Sequence, residues 1–295
     1  MTEICAVIVT WNSTEHIGDC LRSLEPDHDT GLVSVVVVDN ASSDGTVELV
    51  RTVAPWAQVI ANSTNRGLAA GNNQGLLAAT GEFVLISNPD VVYAPGAVAA
   101  LKRLLDDRSD AAVAVARLMH SDGRVQVSAG DLPTLGEALW GRSLRPRGGS
   151  RDNECVGWWW DNWAHDEARP IGHGAEAAYL VRRAAIADVG GQDERFWLDW
   201  EGFDWSARFH AAGWTIWFCP EAEVVHAGGA SIRRARFRWV VSTHRGMYRY
   251  FAARVWFGFR PVLAAAISAR AAVKAAALLS GVDLYAKSRQ PDTGS

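Results

Sequence analysis

Asn88 and Asp90 stand just after an apolar run, Phe83 to Ile86, in the stretch Gly81-Glu-Phe-Val-Leu-Ile-Ser-Asn-Pro-Asp90. An acidic side chain fixed where a strand of an open α/β sheet stops can hold a divalent cation against a diphosphate. The Asn-Pro-Asp triplet is also good turn chemistry by itself, so a plain turn stands beside the metal reading. A second stretch of this kind is Val35-Val-Val-Val-Asp39-Asn40-Ala-Ser-Ser-Asp44-Gly45-Thr46. Asp39 at a strand end can accept a hydrogen bond from a base or ribose, while Ser42, Ser43 and Asp44 can cap the following helix or simply turn the chain. A third, Asn65-Arg66-Gly67-Leu-Ala-Ala-Gly71-Asn72-Asn73-Gln-Gly75, runs from a loop into a helix. Its small residues would let backbone N–H groups approach an anion, and Arg66 would add charge.

The elements needed to position these residues are legible in the pattern. Through residue 115, short β-branched runs alternate with helical stretches, as expected of βαβ units and a parallel sheet. Strands are expected at 4–10, 34–38, 58–61, 83–86 and 112–115, with helices at 13–24, 46–53, 68–79 and 95–105. Residues 142–152, rich in Arg, Gly and Pro, read as a linker. Beyond it a strand is expected near 177–181, a helix at 202–212, and strands at 215–218 and 223–225. The pattern past Ser231 is long, basic and helical.

The 295 residues carry a net charge of −4, but it is unevenly spread: positions 232–295 hold about +10 and the remainder about −14. Such a split suggests an anionic surface as the tail's partner. Cys5, Cys20, Cys155 and Cys219 are scattered, without zinc or disulfide spacing, which favours a reduced, cytoplasmic setting. The N-terminus reads as a first strand rather than a leader. The apolar tract 261–281 is interrupted by Arg270 and Lys274, both costly at a bilayer centre, and is not read as a transmembrane helix.

Taken together, Val9-Thr10-Trp11-Asn12, the Asp39 segment, the Asn65 to Gly75 segment and Ser87-Asn88-Pro89-Asp90 resemble family 2 inverting glycosyltransferases, most closely the rhamnosyltransferase-like branch. Val189-Gly-Gly-Gln-Asp193, Ala212-Gly213-Trp214 and Pro220 to His226 with Gly228-Gly229-Ala-Ser231 follow in the family's order, so the likeness spans residues 4–231. The resemblance implies a GT-A-like α/β fold, a Rossmann-like, mostly parallel central sheet flanked by helices, and the chain's own pattern adds a basic helical C-terminal extension. It divides the chain into a glycosyltransferase domain, 1–231, and the extension, 232–295. Within the domain, 1–115 would be the nucleotide-binding half and 153–231 the acceptor and catalytic half.

The resemblance also implies a reaction: transfer of a sugar from a nucleoside diphosphate donor, a dTDP- or UDP-sugar such as dTDP-rhamnose, to a hydroxyl of a saccharide, lipid-linked or small-molecule acceptor. Asp90 and His226 would face Mg²⁺ or Mn²⁺. The donor would be held by Thr10, Trp11, Asn12, Asp39, Arg66, Gly67, Asn72, Asn88 and Asp90. In Phe196-Trp-Leu-Asp199-Trp-Glu201-Gly202-Phe-Asp204-Trp205, Gly202 occupies the family's base position. The base is therefore expected from Glu201, then Asp204, then Asp199. In Gly172-His-Gly-Ala-Glu176 the spacing puts Glu176 where the family has Gly, and an acceptor contact is its expected role.

Trp158, Trp159 and Trp160 could form an acceptor lip, since aromatic faces pack on sugar C–H surfaces and on lipid; a domain-interface cluster is the alternative. The tail interleaves cations with Tyr248, Tyr250, Phe251, Trp256, Phe257 and Phe259, as a segment lying on anionic lipid at the inner membrane face would. A helix packed on the protein's own acidic body accounts for the same pattern. Nucleic acid is not expected, because no binding motif accompanies the charge. A sugar-nucleotide-binding protein without transfer activity is the second functional reading, with Gly202 as its signature. A nicotinamide-dependent dehydrogenase is a distant third, because Thr10-Trp11-Asn12-Ser13 lacks the glycine fingerprint.

Overall fold

The strand β1 (Ile4–Thr10) is buried at all seven positions, and its alternate residues feed two different cores. Ile4, Ala6 and Ile8 face one side of the sheet, whereas Cys5, Val7 and Val9 face the other. A strand covered on both faces reads as a continuous apolar run, which is why β1 was legible without alternation. The computed structural model describes residues 2–140, 159–160, 163–228 and 236–280. The expected linker at 142–152, Trp158, Cys155 and the 229–235 junction lie outside the described residues.

In chain order the elements are β1, α1 (Ile17–Asp29), β2 (Val33–Asp39), α2 (Thr46–Val53), β3 (Gln58–Ala61), α3 (Leu68–Ala78), β4 (Phe83–Ser87) and β5 (Val91–Tyr93). There follow α4 (Ala97–Asp106), β6 (Ala111–Met119), β7 (Ala129–Gly130), α5 (Leu135–Trp140), β8 (Arg169–Ile171), β9 (His173–Gly174) and β10 (Ala178–Arg182). The series closes with α6 (Arg183–Val189), α7 (Glu201–Ala211), β11 (Thr215–His226), α8 (Arg236–Ala252) and α9 (Arg260–Leu279). The main sheet runs β3-β2-β1-β4-β10-β6-β11-β5, with β8 beside β11; β7 and β9 form a separate pair. Strands β3, β2, β1, β4, β6 and β11 point one way, while β10, β5 and β8 run against them. Helices α1, α2 and α4 cover one face through Ile17, Leu21, Val50 and Leu101; α3, α6 and α7 cover the other through Leu76, Ala185 and Phe209.

Two expectations shift for identifiable reasons. Helix α1 starts at Ile17 rather than Ser13, because Ser13 and Thr14 are bound into the facing turn through Thr46 and Asp44. The two strands expected at 215–218 and 223–225 are one, β11, whose pairing with β6 lapses between Cys219 and Glu223. Pro220, with no N–H to donate, lies in that irregular stretch.

Gly71 and Gly75 of α3 let the helix lie directly on β1: a Cβ at Gly71 would come 2.8 Å from Val9 Cγ1, and one at Gly75 only 2.1 Å from Val7 Cγ1. Their role is close packing rather than the anion approach expected of them. Gly75→Ala is therefore expected to cost about 1–3 kcal/mol by overpacking, read as a lower urea midpoint with an unchanged slope.

Candidate active site

Thr10, Asp39 and Ser87 end three neighbouring parallel strands at the same edge of the sheet, where Thr10 pairs with Asp39 and Ile8 with Ser87. Asp39 is only 2% exposed and is held on three sides. Its Oδ1 accepts from Thr10 Oγ1 at 2.8 Å and Ser42 Oγ at 2.5 Å, and its Oδ2 accepts from the Ser42 N–H at 2.8 Å. A carboxylate offers about four acceptor directions, so one on Oδ2 is left for a ligand. The Asn12 N–H donates to Ser42 Oγ and the Ser43 N–H to Asn12 Oδ1, each at 2.8 Å, which ties the two strand-end loops together. Asp44 Oδ1 accepts from the Thr46 N–H at 3.1 Å, a turn contact; the N-cap of α2 is Gly45, without a side-chain cap.

Beside this turn, β5 pairs antiparallel with β11, with Val91 opposite His226. That pairing brings His226 Nε2 to 3.4 Å from Asp90 Oδ1 and 3.5 Å from Asn88 Nδ2. His226 Nδ1 lies 2.7 Å from Gln126 Oε1, an acceptor, so Nδ1 carries the ring proton and Nε2 presents its lone pair. Two acceptors, Nε2 and a carboxylate oxygen, then face each other, an arrangement that a cation between them would resolve. Burial alone would raise the Asp90 carboxyl, but when Nε2 instead carries a proton, the hydrogen bond and charge of His226, with the charge of His16, hold it below the usual carboxylate range. Asp90, His226 and Asn88 thus suit a hard divalent cation that takes its remaining ligands from a diphosphate. Among the described residues no cluster of three or more His, Cys, Asp or Glu forms a self-sufficient metal cage.

Asn88 and His226 line a cavity of about 400 Å³ together with Glu176, Asp199 and Glu201. Burial, then the charges of Glu176 and Asp199, push the Glu201 carboxyl well up. Burial likewise raises Glu176, against the bond from Gln192, and raises Asp199, against the bond from Thr243. Glu201 is 4% exposed, and its Oε2 is enclosed without a hydrogen-bond partner. Glu176 Oε1 accepts from Gln192 Nε2 at 2.9 Å, and Gln192 Oε1 accepts from Asn72 Nδ2 at 2.9 Å. Asp199 and Trp200 both take left-handed backbone conformations, φ 62° and 70°, just ahead of α7. Consecutive non-glycine residues there are strained and must be held by their surroundings. Helix α8 does the holding: Thr243 Oγ1 donates to Asp199 Oδ2 at 2.7 Å, Ser242 Oγ donates to Leu198 O at 3.1 Å, and Gly246 packs on the Trp200 ring.

Several expected residues sit elsewhere. Asp204 does not reach the cavity; its carboxylate is taken by Arg208 at 2.9 Å and Arg254 at 3.4 Å, so it is removed from the candidate bases. Arg66 is paired with Glu194 at 3.6 Å on the surface. The Gly67 N–H donates to Asn65 Oδ1 and the Leu68 N–H to Trp197 O, so neither donor is free for a phosphate. Asn72 is buried in the Gln192 network rather than at a donor pocket. Trp160 belongs to the core, where its Nε1 donates to Asp131 and Arg169 lies over its ring; Trp159 does line the cavity, against His173 and Phe203.

Residues that spacing could not find include Gln126, which orients His226, and Gln192, which holds Glu176. Gln192 lies inside a recognised motif, but nothing local signals its partner 16 residues away. The extension also builds the site: Trp239, Thr243 and Met247 of α8 and Arg270 and Lys274 of α9 line the cavity. Phe196 and Trp200 share one core with Met247, Tyr250, Leu263 and Ile267, so the boundary at 231 does not separate two cores.

A mixed α/β sheet of this topology, with an acidic turn after β4 facing a histidine from β11, defines a GT-A glycosyltransferase fold. A mannosyltransferase from Pyrobaculum calidifontis, solved with GDP-Man and Mn²⁺, superposes with a TM-score of 0.58 at 20% identity over 95% of this chain and 79% of that one. GalNAc-T7, solved with UDP, GalNAc and Mn²⁺, gives 0.56 at 16% identity over 76% of this chain and 42% of that one. Residues 5–160, more than half of the chain, match glycosyl transferase family 2, and the protein belongs to that family. It is of rhamnosyltransferase-like type: the N-acetylglucosaminyl-diphospho-decaprenol L-rhamnosyltransferase of Mycobacterium tuberculosis is 28% identical over 277 residues, 86% of each chain. The succinoglycan biosynthesis protein ExoO of Rhizobium meliloti is 31% identical over 144 residues, 48% of this chain and 36% of that one.

The raised carboxyl of Glu201 has a consequence for stability. A folded-state pKa above the unfolded value favours the native state at low pH, and that contribution is lost as pH rises through the folded pKa. Glu201→Gln removes this titration, so its melting temperature should exceed that of the wild type by a margin that grows from pH 5 to pH 8, as measured by scanning calorimetry without ligand.

Proposed function

We propose that the protein transfers L-rhamnose from dTDP-rhamnose to a hydroxyl of a lipid-linked N-acetylglucosamine saccharide, with inversion at the anomeric carbon. One observation carries this reading: a single cavity is lined both by the Asn88 and His226 pair beside Asp90 and by the carboxylates Glu176, Asp199 and Glu201. The sugar and the acceptor class are those suggested by the Mycobacterium tuberculosis relative's name and by the length of the match to it, and the dTDP donor is the one the family resemblance implies. Asp39, Thr10 and the loops locked to them would receive the nucleoside, and Asp90 with His226 would hold Mg²⁺ or Mn²⁺. When bound, the cation would offset the negative charge that gathers on the departing diphosphate. The chain's own part is to fix the donor at the strand ends and to supply a carboxylate that takes the acceptor's proton.

The extension supports placement at a membrane. Helix α9 and the turn before it, Phe257–Leu279, are long and apolar enough to cross a bilayer, and little of that stretch is buried. Of its three cations, Arg270 and Lys274 line the cavity instead of facing outward, and Arg260 lies over the Phe257 ring. The outward positions include Phe257, Val262 and Val273, with Trp256 81% exposed just before them. We read this as an apolar face lying on the cytoplasmic leaflet with the cavity mouth close to a lipid-borne acceptor.

Calorimetric titration with dTDP and UDP, with and without Mn²⁺, tests the donor site. Metal-dependent binding is expected for at least one nucleotide, and Asp90→Asn should weaken that binding and lower kcat together, each by about tenfold or more. Nucleotide binding with no transfer of rhamnose to N-acetylglucosaminyl-diphospho-decaprenol would favour a binding protein without turnover instead.

A further inference from the structure

Gly202 has no side chain, and the space a Cβ would fill is taken: it would lie 2.6 Å from Glu176 Cδ and 2.8 Å from Glu176 Oε2. The carboxylate that α7 does not carry at its second position is therefore delivered to that place from the segment preceding β10. Glu176 is also tied to the metal side of the cavity, because the Asn88 N–H donates to the carbonyl of its neighbour Ala177 at 3.0 Å. One of its oxygens is oriented by Gln192, itself held by Asn72, and Oε2 is not (2.9 Å for both bonds).

The other carboxylates are less suited to meeting a substrate. Asp204 is consumed by two arginines. Glu201 is 4% exposed and its Oε2 is enclosed. Asp199 is held by Thr243 on a strained turn. Glu176 is more open than Glu201 and lines the same cavity as Asn88 and His226.

We propose that Glu176 is the catalytic base, and that Gly202 is the vacancy that lets its carboxylate occupy the first turn of α7. The inference rests on the transferase reading above. In the step it serves, the acceptor oxygen forms a bond to the anomeric carbon as the bond from that carbon to the donor diphosphate breaks. The bonding pair leaves with the nucleoside diphosphate, and the hydroxyl proton passes to Glu176. Burial, which raises the Glu176 carboxyl, makes it a stronger proton acceptor than an exposed glutamate.

The test uses the full chain with dTDP-rhamnose, Mn²⁺ and N-acetylglucosaminyl-diphospho-decaprenol in detergent. Glu176→Gln is expected to lower kcat by about 10²-fold or more while Mn²⁺-dependent dTDP affinity stays within about twofold. Glu176→Gly should be as inactive, and combining it with Gly202→Asp should restore at least about tenfold over Glu176→Gly alone, because the carboxylate returns to the same place from the other side of the contact. Wild-type turnover with Glu176→Gln within about threefold of it overturns the assignment. So does a double variant that binds dTDP normally yet gains nothing over Glu176→Gly. A wild-type protein that neither binds dTDP nor transfers rhamnose overturns the underlying transferase reading, and the assignment falls with it.

Discussion

The strand β10 is the constraint on which the site depends. It runs antiparallel between β4 and β6, with Ala178 opposite Ser87 and Tyr179 opposite Val115, and joins the two halves into one sheet. Every residue from Ala178 to Val181 is buried, so a one-residue slip would exchange the faces of Tyr179 and Leu180, which serve different cores. The fixed register puts the residues just before β10 beside the turn just after β4. Glu176 and Asn88 thereby line one cavity although 88 positions separate them in the chain.

The second organising contact is α8 against the turn that precedes α7. Two left-handed residues, Asp199 and Trp200, set the direction in which Glu201 and Gly202 enter the helix. Thr243, Ser242 and Gly246 fix that turn from outside the segment. The basic extension is consequently part of the active-site wall. Its cations are divided between the cavity, through Arg270 and Lys274, and aromatic faces of the body, where Arg238 lies over Trp197 and Arg249 over Phe196. The charge asymmetry of the sequence is thus partly satisfied within the molecule, while Val262, Val273 and Leu279 of α9 stay exposed.

The chemistry is divided by element. Strand ends of the parallel half carry Thr10, Asp39 and Asp90, where side chains can be held by neighbouring loops without burying an unpaired charge. In the other half, burial raises the carboxyls of Glu176, Asp199 and Glu201 together. In the proposed reaction, one half would hold the diphosphate through a cation and the other would accept the proton.

The sequence by itself determined the elements whose ends are marked by turn chemistry, among them the fully buried β1 and the edge strand β3. β1, β3 and α2 fall at their expected limits, and β2, β4, α3 and β10 within one residue of theirs, because apolar runs bounded by Gly, Asn, Asp and Ser leave few alternatives. Asp39 and Asp90 were legible for the same reason, since each closes such a run. β5 was not, being three residues long, and with it went the pairing that sets His226 beside Asp90. Nor could spacing tell that Arg208 and Arg254 remove Asp204 from the site, or that Gln192 reaches Glu176. Only the tertiary structure decided how an acid at 176 and a glycine at 202 belong together. Their relation is steric: one side chain fills the volume that the other lacks, and volume shared between distant segments leaves no trace in local pattern.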